Sequence, residues 1–460
     1  MTSTFDAIII GAGQAGPALA GRLTGAGKKV LLVERKLFGG TCVNTGCMPT
    51  KALVASAYAA HLARRGADFG VTIDTPVRID MKRIRQRADT VSSNARHNVE
   101  SWLKGMAHCT VVQGHARFTG PHEVDIDGAA YAAPQIFINT GGRANIPDMP
   151  GIADIDYLTN TGILQLDTLP EHLVVIGGSY IGLEFAQMYR RFGAKVTVVE
   201  KGPRLVSRED EDVSETIREI LEAEGIECRL NAECISFKQH EQGTEVSVDC
   251  NSGTPAIIGS HVLLAIGRRP NTDDLDLEKA GVEIDERGYI KVNDDLSTTA
   301  NGIWALGDCN GRGAFTHTSY NDFEIVAANL LDGQDRKVSA RIPGYALYID
   351  PPLGRVGLSE TQARKAGRAL LISKRPMTRV GRAVEKDETK GFMKVVVDAD
   401  TRKILGAAIL GTGGDEAIHG ILDMMNADAD YRTLQWAVPI HPTVSELIPT
   451  LLGDLKPIDK

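Results

Sequence analysis

A strand–glycine loop–helix–strand pattern occurs twice in this chain, and this repeat constrains the fold more than any other feature. In the first copy, an apolar strand at residues 6–10 leads into Gly11, Gly13 and Gly16, which open a helix, and the next strand ends in Glu34. Gly11 permits a tight turn, Gly13 lets a pyrophosphate approach the backbone, Gly16 allows close helix packing, and the carboxylate accepts from a ribose hydroxyl. The first copy therefore predicts a dinucleotide-binding unit.

The second copy begins with the apolar strand His172–Ile176. Its loop carries Gly177 and Gly182, but Ser179 replaces the usual middle glycine. Its last strand ends in Glu200, whose carboxylate favours a free 2′-hydroxyl and therefore NADH over NADPH, although two basic side chains follow within four positions. We expect a second dinucleotide site here, with NADH as its nucleotide and NADPH as the alternative.

Two cysteines, Cys42 and Cys47, follow directly on the first unit. In an ideal helix, residues five apart have Cα atoms ~8.6 Å apart, beyond the roughly 7 Å that a disulfide bridges. A distorted loop must therefore join them, and residues 44–46 (Asn-Thr-Gly) supply it, with Pro49 in the first turn of the helix that follows. The N-terminus of that helix favours a thiolate, above all at Cys47.

The cysteine pair is interpreted as redox-active, and the alternative is a static buried disulfide, which a cytosolic chain seldom keeps. No comparable spacing is found among the other cysteines, Cys109, Cys228, Cys234, Cys250 and Cys309. Two nucleotide sites with a cysteine pair between them suggest a relay from reduced nicotinamide to flavin and on to the disulfide. Flavin fits the first site, because the pair adjoins it; separate use of two unrelated nucleotides is the alternative.

Composition narrows the class of ligand. The 460 residues suffice for about three domains, 43% of them are hydrophobic, and the net charge is −8 with a pI near 5.8. Without a basic run or an aromatic-interleaved patch, this charge argues against nucleic acids and anionic membranes. The N-terminus lacks the basic segment of a signal peptide, and its apolar run stops at Gly11. We expect a cytoplasmic protein with small-molecule ligands and no membrane span.

Further motifs extend over nearly the whole chain: INTGGR at residues 138–143, GRRPN at 267–271, WALGD at 304–308 and HPTVSE at 441–446. Together with the glycine loop and the cysteine segment, they resemble the class I pyridine nucleotide–disulfide oxidoreductases, the family of dihydrolipoamide dehydrogenase, glutathione reductase and mercuric reductase. The resemblance implies an enzyme with FAD in the first site and NADH, or else NADPH, in the second.

The same resemblance implies roles for individual residues. Cys42 would attack the substrate, and Cys47 would lie against the flavin. Lys51 would sit near the flavin and pair with Glu184, and Tyr180 would cover the nicotinamide pocket until NADH displaces it. Taken singly, these three side chains could equally be a solvated lysine, an exposed helix glutamate and a packing tyrosine.

Cofactor contacts are implied in the same way. Beyond the first loop, Asp308 would hold the ribityl chain and the backbone at Thr316 the pyrimidine edge. The implied flavin contacts include the first glycine loop and Glu34. The others are Gly40, Thr41, Lys51, Gly114 and Gly141, of which Gly114 and Gly141 could simply be turn glycines. The implied nicotinamide-nucleotide contacts are Gly177, Gly182, Glu200 and Gly267.

His441 and Glu446 resemble the acid–base pair that one subunit of a homodimer contributes to the site of the other. A neutral imidazole can take a proton from Cys42 and return it to the leaving thiol, while the carboxylate fixes its orientation. Alternatively, residues 443–446 form a capping box, in which Glu446 satisfies amide donors at the start of a helix.

The predicted architecture is α/β, with two Rossmann-like dinucleotide-binding domains and a C-terminal α+β dimerisation domain. We expect residues 1–148 and 266–338 to form the FAD domain, 149–265 the NAD(P)H domain and 339–460 the dimer interface. In the last part, residues 391–398 and 404–410 predict a hairpin, and helical stretches are expected from Asp415 and from Thr443.

The electron acceptor is less constrained. No cysteine follows Cys309, whereas mercuric reductases carry a C-terminal pair and large thioredoxin reductases a redox tail, and the PTK at 49–51 replaces the PKK of glutathione reductases. Dihydrolipoamide dehydrogenases usually read HAHPT where this chain reads VPIHPT. Residues 48–51, 318–323 and 350–357 look closer to flavoproteins induced by reactive chlorine species, which reduce hypothiocyanite-type oxidants or Cu(II). A metal cofactor is not expected.

Three alternatives stay open at this point. The chain could be the dihydrolipoamide dehydrogenase of a multienzyme complex, serving chiefly as a docking subunit. It could be a mercuric or glutathione reductase-like enzyme. It could also be a flavin-binding protein without disulfide turnover, in which Cys47→Ser would leave activity unchanged.

Overall fold

The computed structural model describes residues 2–233, 235–248 and 256–458, so Cys234 and Cys250 lie outside the described residues. The strands in chain order are β1 (Ser3–Thr4), β2 (Ala7–Ile10), β3 (Val30–Glu34), β4 (Cys109–Gln113), β5 (Ala116–Gly120), β6 (Glu123–Ile126), β7 (Ala129–Ala132), β8 (Gln135–Ile138), β9 (Gly142–Ala144), β10 (His172–Ile176), β11 (Lys195–Val199), β12 (Glu227–Arg229), β13 (Ser236–His240), β14 (Gly243–Ser247), β15 (Ala256–Gly259), β16 (His261–Leu264), β17 (Arg268–Pro270), β18 (Ile303–Ala305), β19 (Gly344–Leu347), β20 (Leu353–Gly357), β21 (Leu370–Pro376), β22 (Phe392–Asp398), β23 (Ile404–Leu410) and β24 (Lys456–Pro457).

The α-helices are α1 (Ala15–Gly25), α2 (Gly40–Asn44), α3 (Cys47–Arg64), α4 (Met81–Lys104), α5 (Asn160–Ile163), α6 (Tyr180–Phe192), α7 (Glu211–Ala223), α8 (Thr316–Leu331), α9 (Glu360–Lys365), α10 (Gly381–Glu385), α11 (Gly414–Ala417), α12 (His419–Asn426), α13 (Tyr431–Gln435) and α14 (Leu447–Gly453). Short 3-10 turns occur at Gly66–Phe69, Ile152–Asp154, Leu277–Ala280, Gly307–Asn310, Val338–Ala340 and Met377–Arg379.

The first glycine loop belongs to a five-stranded parallel sheet with the order β18-β8-β2-β3-β4. Every residue of β2 and β3 is buried, as expected for parallel strands that helices cover on both faces. A separate four-stranded sheet, β1-β7-β6-β5, packs beside it. The strand β18 comes from the segment after the second nucleotide unit, so this sheet is built from two separate stretches of the sequence.

The second glycine loop lies in a four-stranded parallel sheet with the order β12-β11-β10-β16. Helix α6 packs on β10 and β11 through fully buried side chains, among them Leu183 and Tyr189. The antiparallel sheet β13-β14-β15 is attached to this unit. The two parallel sheets thus repeat the strand–helix–strand unit that the sequence repeat predicts.

The C-terminal region is built on a six-stranded antiparallel sheet with the order β19-β20-β23-β22-β21-β24. The predicted hairpin is present: β22 pairs antiparallel with β23, and residues 399–402 form its turn. The predicted helical stretch from Asp415 corresponds to α11 and α12. The stretch from Thr443 was placed too early, because residues 443–446 form a bend and a turn and α14 begins only at Leu447.

A row of side chains on one face of this sheet docks the second nucleotide unit. In the strand register, Tyr345 lies opposite Arg355, and Lys394 lies opposite Lys374. Because directly opposite residues share a face, these side chains all face the acidic run at residues 209–212. Arg355 Nε lies 3.0 Å from Glu209 Oε2. Lys394 Nζ lies 3.4 Å from Asp210 and 3.2 Å from Asp212, and Lys374 Nζ lies 2.8 Å from Asp212.

The observed architecture is the predicted α/β class: two dinucleotide-binding domains and a C-terminal α+β domain. Within the described ranges, no helix combines the length and the hydrophobicity needed to cross a bilayer.

Candidate active site

The two cysteines of the predicted pair are neighbours at a break between two helices. Cys42 lies in the short helix α2, residues 45 and 46 leave the helical path, and Cys47 is the first residue of α3. Both are free thiols, and the Cys47 Sγ lies 3.3 Å from the Thr316 hydroxyl at the start of α8. The distorted link that the spacing requires is therefore the short segment between α2 and α3.

The two thiols differ in acidity. A hydrogen bond with Cys42 lowers the pKa of Cys47 to about 6; the Thr316 hydroxyl and the Lys51 charge act in the same direction, and burial opposes them. The hydrogen bond with Cys47 and burial raise the pKa of Cys42 above its ordinary range. Cys47 is thus the thiol that loses its proton first, and its place at a helix N-terminus favours the thiolate as well.

Lys51 lies one helical turn beyond Cys47 on the same face of α3. Its Nζ lies 2.7 Å from Glu184 Oε2 on helix α6, and it also lies 4.4 Å from the centre of the Tyr348 ring. The Glu184 side chain is only 7% exposed, and it also accepts a bond from the Tyr348 amide at 3.0 Å. The ion pair therefore joins the cysteine helix to the helix that opens the second nucleotide site.

The two glycine loops have the same local geometry. Gly11 and Gly177 have φ of 108° and 112°, values that favour glycine. A Cβ at Gly16 would collide with the Gly11 carbonyl, and one at Gly182 would collide with the Gly177 carbonyl. Each loop consequently turns tightly enough for its helix to pack directly on the preceding strand.

The acid at the end of each second strand braces its own loop. Glu34 accepts from the Ala12 amide at 2.9 Å and from the Lys36 amide at 2.8 Å. In the second unit, Glu200 makes the equivalent bonds to the amides of residues 178 and 202, both at 2.7 Å. A carboxylate has about four acceptor positions, so each of these acids keeps capacity for ribose hydroxyls.

The helix N-termini behind both loops are suited to a pyrophosphate. Helix α1 follows Gln14 and α6 follows Ser179, and neither residue caps its helix with its side chain, although serine is a preferred cap. A Cβ at Gly40 would lie 2.9 Å from the Cα of Gly13, so the backbone that leads into the cysteine pair lies close against the first glycine loop. The amide groups and the close backbone fit the phosphates of FAD and of NAD(P)H.

The other predicted flavin contacts lie around this loop. Asp308 is three-quarters buried, which raises the pKa of its carboxyl, and it lies 3.6 Å from Arg268. Arg268 also donates to the Thr41 hydroxyl at 3.4 Å. The carbonyl of Gly141 accepts from the Asn271 amide at 3.0 Å. Through these contacts the GRRPN segment connects the cysteine segment, the INTGGR motif and the WALGD motif.

Two predicted glycines lie at turns. Gly114 follows β4, and its amide donates to the Glu34 carbonyl at 3.0 Å. Gly267 immediately precedes β17 and has a φ of 103°, and its carbonyl accepts from the Asn145 amide at 3.0 Å.

Tyr180 lies in an aromatic cluster between the second loop and the cysteine pair. Its ring meets Phe315 and Tyr345 edge-on, with centroids 6.2 Å and 5.3 Å away. Phe315 stacks with Tyr345 and with His317, whose ring centroids lie 5.8 Å and 5.4 Å away. Since Phe315 directly precedes Thr316, the cluster extends from the start of α6 to the thiol pair.

His441 and Glu446 are bonded to each other, with His441 Nδ1 2.8 Å from Glu446 Oε2. Half of the alternative capping box is present, since the Glu446 amide donates to the Thr443 hydroxyl at 3.2 Å, but the Glu446 carboxylate turns to the imidazole. Among the described residues, no hydrogen bond or ion pair joins His441 to Cys42 or Cys47 within one chain. His441 is 80% exposed, and its Nε2 is available to a ligand or a second chain.

The fold thus brings most of the predicted site residues together at the junction of the two nucleotide units, and leaves His441 exposed at the surface with the largely buried Glu446 behind it. Sequence reasoning missed Tyr345, Glu209, Phe315 and Tyr348. Tyr345 and Glu209 are 136 residues apart, and neither belongs to a motif, so no sequence signal connects them.

Comparisons with known proteins identify the family. The family model described as pyridine nucleotide-disulphide oxidoreductase matches residues 5–322, and its dimerisation domain matches residues 343–452. The probable pyridine nucleotide-disulfide oxidoreductase RclA of Escherichia coli is 35% identical over 98% of this chain and 99% of its own length. The dihydrolipoyl dehydrogenase of Thermus scotoductus is 34% identical over 96% and 95%, respectively, and the mercuric reductase of Staphylococcus aureus 31% over 94% and 80%.

Solved structures agree with these matches. The Cu(II) complex of the HOCl-induced flavoprotein disulfide reductase RclA from Escherichia coli superposes with a TM-score of 0.89, at 35% identity, over 98% of this chain and 99% of that chain. Family members are FAD-containing flavoproteins that use NAD(P)H, and the braced loops described above fit both nucleotides. The chain belongs to the pyridine nucleotide-disulphide oxidoreductases and is an FAD-containing enzyme that uses NAD(P)H.

Proposed function

We propose that the enzyme passes electrons from NADH through FAD to a redox-active Cys42–Cys47 disulfide and on to a small oxidant. The observation that carries this proposal is the thiol pair itself, which combines the unequal acidities described above with the Thr316 contact and the Lys51 charge. The pair lies between the two nucleotide loops, where FAD, when bound, supplies the transfer of an electron pair from NADH.

The chain's own residues account for the thiol chemistry. With a disulfide substrate, the Cys42 thiolate attacks one substrate sulfur and forms a mixed disulfide, while the other substrate sulfur leaves and takes a proton. The Cys47 thiolate then attacks the Cys42 sulfur, which re-forms the Cys42–Cys47 disulfide and releases the second substrate thiol. One NADH supplies the two electrons that reduce the pair again.

The proton steps are assigned to His441 from a second copy of the chain. Cys42 holds its proton more tightly than Cys47 does, so its attack requires a base. The bond from His441 Nδ1 to Glu446 orients the ring and leaves Nε2 to exchange the proton. The exposed apolar side chains around it, Trp436, Val438 and Ile440, support a surface that a second subunit covers, and the matched dimerisation domain supports a homodimer.

The nicotinamide site completes the relay. Glu200 disfavours a 2′-phosphate, which supports NADH over NADPH. Tyr180, at the start of α6, would cover the nicotinamide pocket and move aside when the nucleotide enters. Lys51 and Glu184 would hold the thiol helix against this pocket. The same proposal includes a cytoplasmic location, where NADH is available. It also includes the domain limits: 1–148 with 266–338 for FAD, 149–265 for NAD(P)H and 339–460 for the dimer interface.

The oxidant is assigned to one of three chemical kinds: a disulfide, a hypothiocyanite-like species or a soft metal ion. The RclA relative is described as HOCl-induced and as forming a Cu(II) complex, and two adjacent thiolates suit a soft ion. Two Cu(II) ions would each accept one electron of the pair. The alternative, dihydrolipoyl dehydrogenase, is supported by the Thermus relative and by the His441–Glu446 pair; a mercuric or glutathione reductase-like activity is the other alternative.

The test is NADH oxidation by the purified flavoprotein with lipoamide, oxidised glutathione, hypothiocyanite, Cu(II) and Hg(II). Cys42→Ala should abolish turnover with the preferred acceptor while NADH still reduces the flavin. Cys109→Ala serves as the matched control, because this free thiol lies on β4, outside the site. Turnover that survives in Cys42→Ala would refute the relay. Saturable turnover with lipoamide alone would favour the dehydrogenase.

A further inference from the structure

The link between the two cysteines, residues 44–46, folds back onto helix α2. The Thr45 amide donates to the Thr41 carbonyl at 2.9 Å, and a Cβ at Gly46 would lie 2.9 Å from the same oxygen. The Gly46 carbonyl accepts from the Thr50 amide at 3.0 Å, in the first turn of α3. The Thr45 carbonyl lies between these two bonds, at the C-terminal end of α2, where helix carbonyls need partners from outside the helix.

A side chain from a distant part of the chain supplies that partner. Asn160 Nδ2 donates to the Thr45 carbonyl at 2.8 Å, and within the described part of the chain this is the one hydrogen bond that the carbonyl accepts. Asn160 is 115 residues away in sequence and opens the short helix α5. The bond therefore fastens the link between the two thiols to the start of the second nucleotide unit.

Asn160 is attached to a fixed support. Two positions before it, Leu158 makes two backbone hydrogen bonds of 2.8 Å with β16, the edge strand of the second parallel sheet. At the other end of α5, Ile163 is fully buried, and its carbonyl accepts from the Tyr189 hydroxyl at 2.9 Å. Because both ends of α5 are bonded to the second nucleotide unit, the Asn160 amide has a defined position relative to the cysteine link.

We propose that Asn160 is a positioning residue that holds the link between Cys42 and Cys47 and thereby favours their disulfide over the two free thiols. The proposal rests on the proposed function, in which this disulfide opens and re-forms in each cycle. A link that is held in place before the S–S bond forms loses less conformational entropy when the ring closes. Asn160 acts through the Thr45 backbone and takes no part in the transfer of electrons.

Two substitutions at this position separate the hydrogen bond from the volume of the side chain. Asn160→Ala removes both, and Asn160→Leu removes the donor but fills a similar volume. Because one neutral hydrogen bond is lost, the equilibrium constant for formation of the Cys42–Cys47 disulfide should fall about 2- to 10-fold in each variant. For a two-electron couple, this fall corresponds to a rise of about 9 to 30 mV in the reduction potential of the pair.

The measurement is anaerobic equilibration of the FAD-loaded protein with mixtures of reduced and oxidised dithiothreitol. Reduced dithiothreitol gives two electrons and two protons to the protein disulfide, which opens to two thiols, and itself closes to a cyclic disulfide. Alkylation of the free thiols and mass spectrometry of the peptide that carries Cys42 and Cys47 then give the reduced fraction. Asn160→Leu also decides the question if Asn160→Ala does not retain its flavin.

Asn329→Ala is the matched control. The Asn329 side-chain amide makes the same kind of bond, to the Arg336 carbonyl at 2.9 Å, at an exposed position. It lies thirteen residues beyond Thr316 along α8, about 20 Å in a helix. The equilibrium constant of Asn329→Ala should therefore equal that of the unaltered protein.

The outcomes separate this inference from the proposed function. If NADH does not convert Cys42 and Cys47 of the unaltered protein to alkylatable thiols, the proposed function fails. If it does, and the Asn160 variants have the same equilibrium constant as Asn329→Ala or a higher one, only the role of Asn160 is overturned. A fall in Asn160→Ala that Asn160→Leu does not share would assign the effect to side-chain volume and would overturn that role as well.

Discussion

Removing Cys42 should change the acidity of Cys47. The pKa of Cys47 is about 6 against an ordinary 9.0, and the hydrogen bond with Cys42 is the largest cause of the difference. Cys42→Ala deletes that bond and leaves the burial of Cys47, which raises the pKa, beside the Thr316 hydroxyl and the Lys51 charge, which lower it, so the pKa should rise well above 6. At pH 7, a thiol of pKa about 6 is about nine-tenths thiolate, whereas one of pKa about 8 is about one-tenth thiolate.

A thiol is an acid, so its thiolate form is present above its pKa and is lost below it. The thiolate of the intact, reduced pair should persist above about pH 6 and disappear as the pH falls through that value. In Cys42→Ala the same loss should already be complete near neutral pH. Cys42→Ser is the matched variant, because a serine hydroxyl can still donate to the Cys47 thiolate, and its titration should lie between those of the reduced protein and Cys42→Ala.

The assay is the ultraviolet absorbance of the thiolate as a function of pH in protein reduced with excess dithiol. Subtracting the corresponding protein that also carries Cys47→Ser isolates the Cys47 signal from the other cysteines and from the flavin. If Cys47 titrates at the same pH in Cys42→Ala as in the unaltered protein, the reasoning is refuted. The low pKa would then have its origin in the helix terminus, Thr316 and Lys51 alone.

Two further predictions concern the ion pair and the nucleotide preference. Lys51→Met leaves the nearly buried Glu184 with only its amide partner and should lower the free energy of unfolding by about 2–3 kcal/mol. This loss is smaller than for a fully buried pair because Lys51 is 34% exposed. Lys51→Arg should retain most of the stability of the original protein, and urea unfolding measures both variants. Glu200→Arg should raise the ratio of kcat/KM for NADPH to that for NADH about 5- to 150-fold. Loss of the loop brace affects both nucleotides equally and cancels in this ratio, so an unchanged ratio would mean that Lys201 and Arg204 already set the preference.

The sequence was sufficient for the features that repeat or that have fixed spacing. The two parallel sheets follow from the recurrence of glycine loop and terminal acid, and the break between α2 and α3 follows from the Cys42–Cys47 spacing alone. In both cases, residues that are close in sequence determine the backbone conformation. The hairpin of β22 and β23 could be predicted equally well, because a turn sequence separates two apolar runs.

Other features depend on tertiary contacts between distant segments. The start of the last helix was placed at Thr443 because a Thr-x-x-Glu sequence predicts a cap, whereas the Glu446 side chain bonds to His441 and α14 begins at Leu447. The braces that Glu34 and Glu200 make to their own loops were also not foreseen, since the pattern assigns these acids only to ribose. The meeting of Tyr345 with Glu209 requires the strand register and the domain docking together.

The charged row between the C-terminal sheet and the acidic run at residues 209–212 has a consequence for recombining this protein with its relatives. Lys394 and Arg355 are almost completely buried against carboxylates of the nucleotide unit. In a chimera that received the nucleotide unit of another family member without the matching acids, Arg355 would be buried without a carboxylate partner, and Lys394 would keep only Glu360. The two regions should therefore be exchangeable only as a set, with Arg355, Lys394 and the acidic run transferred together.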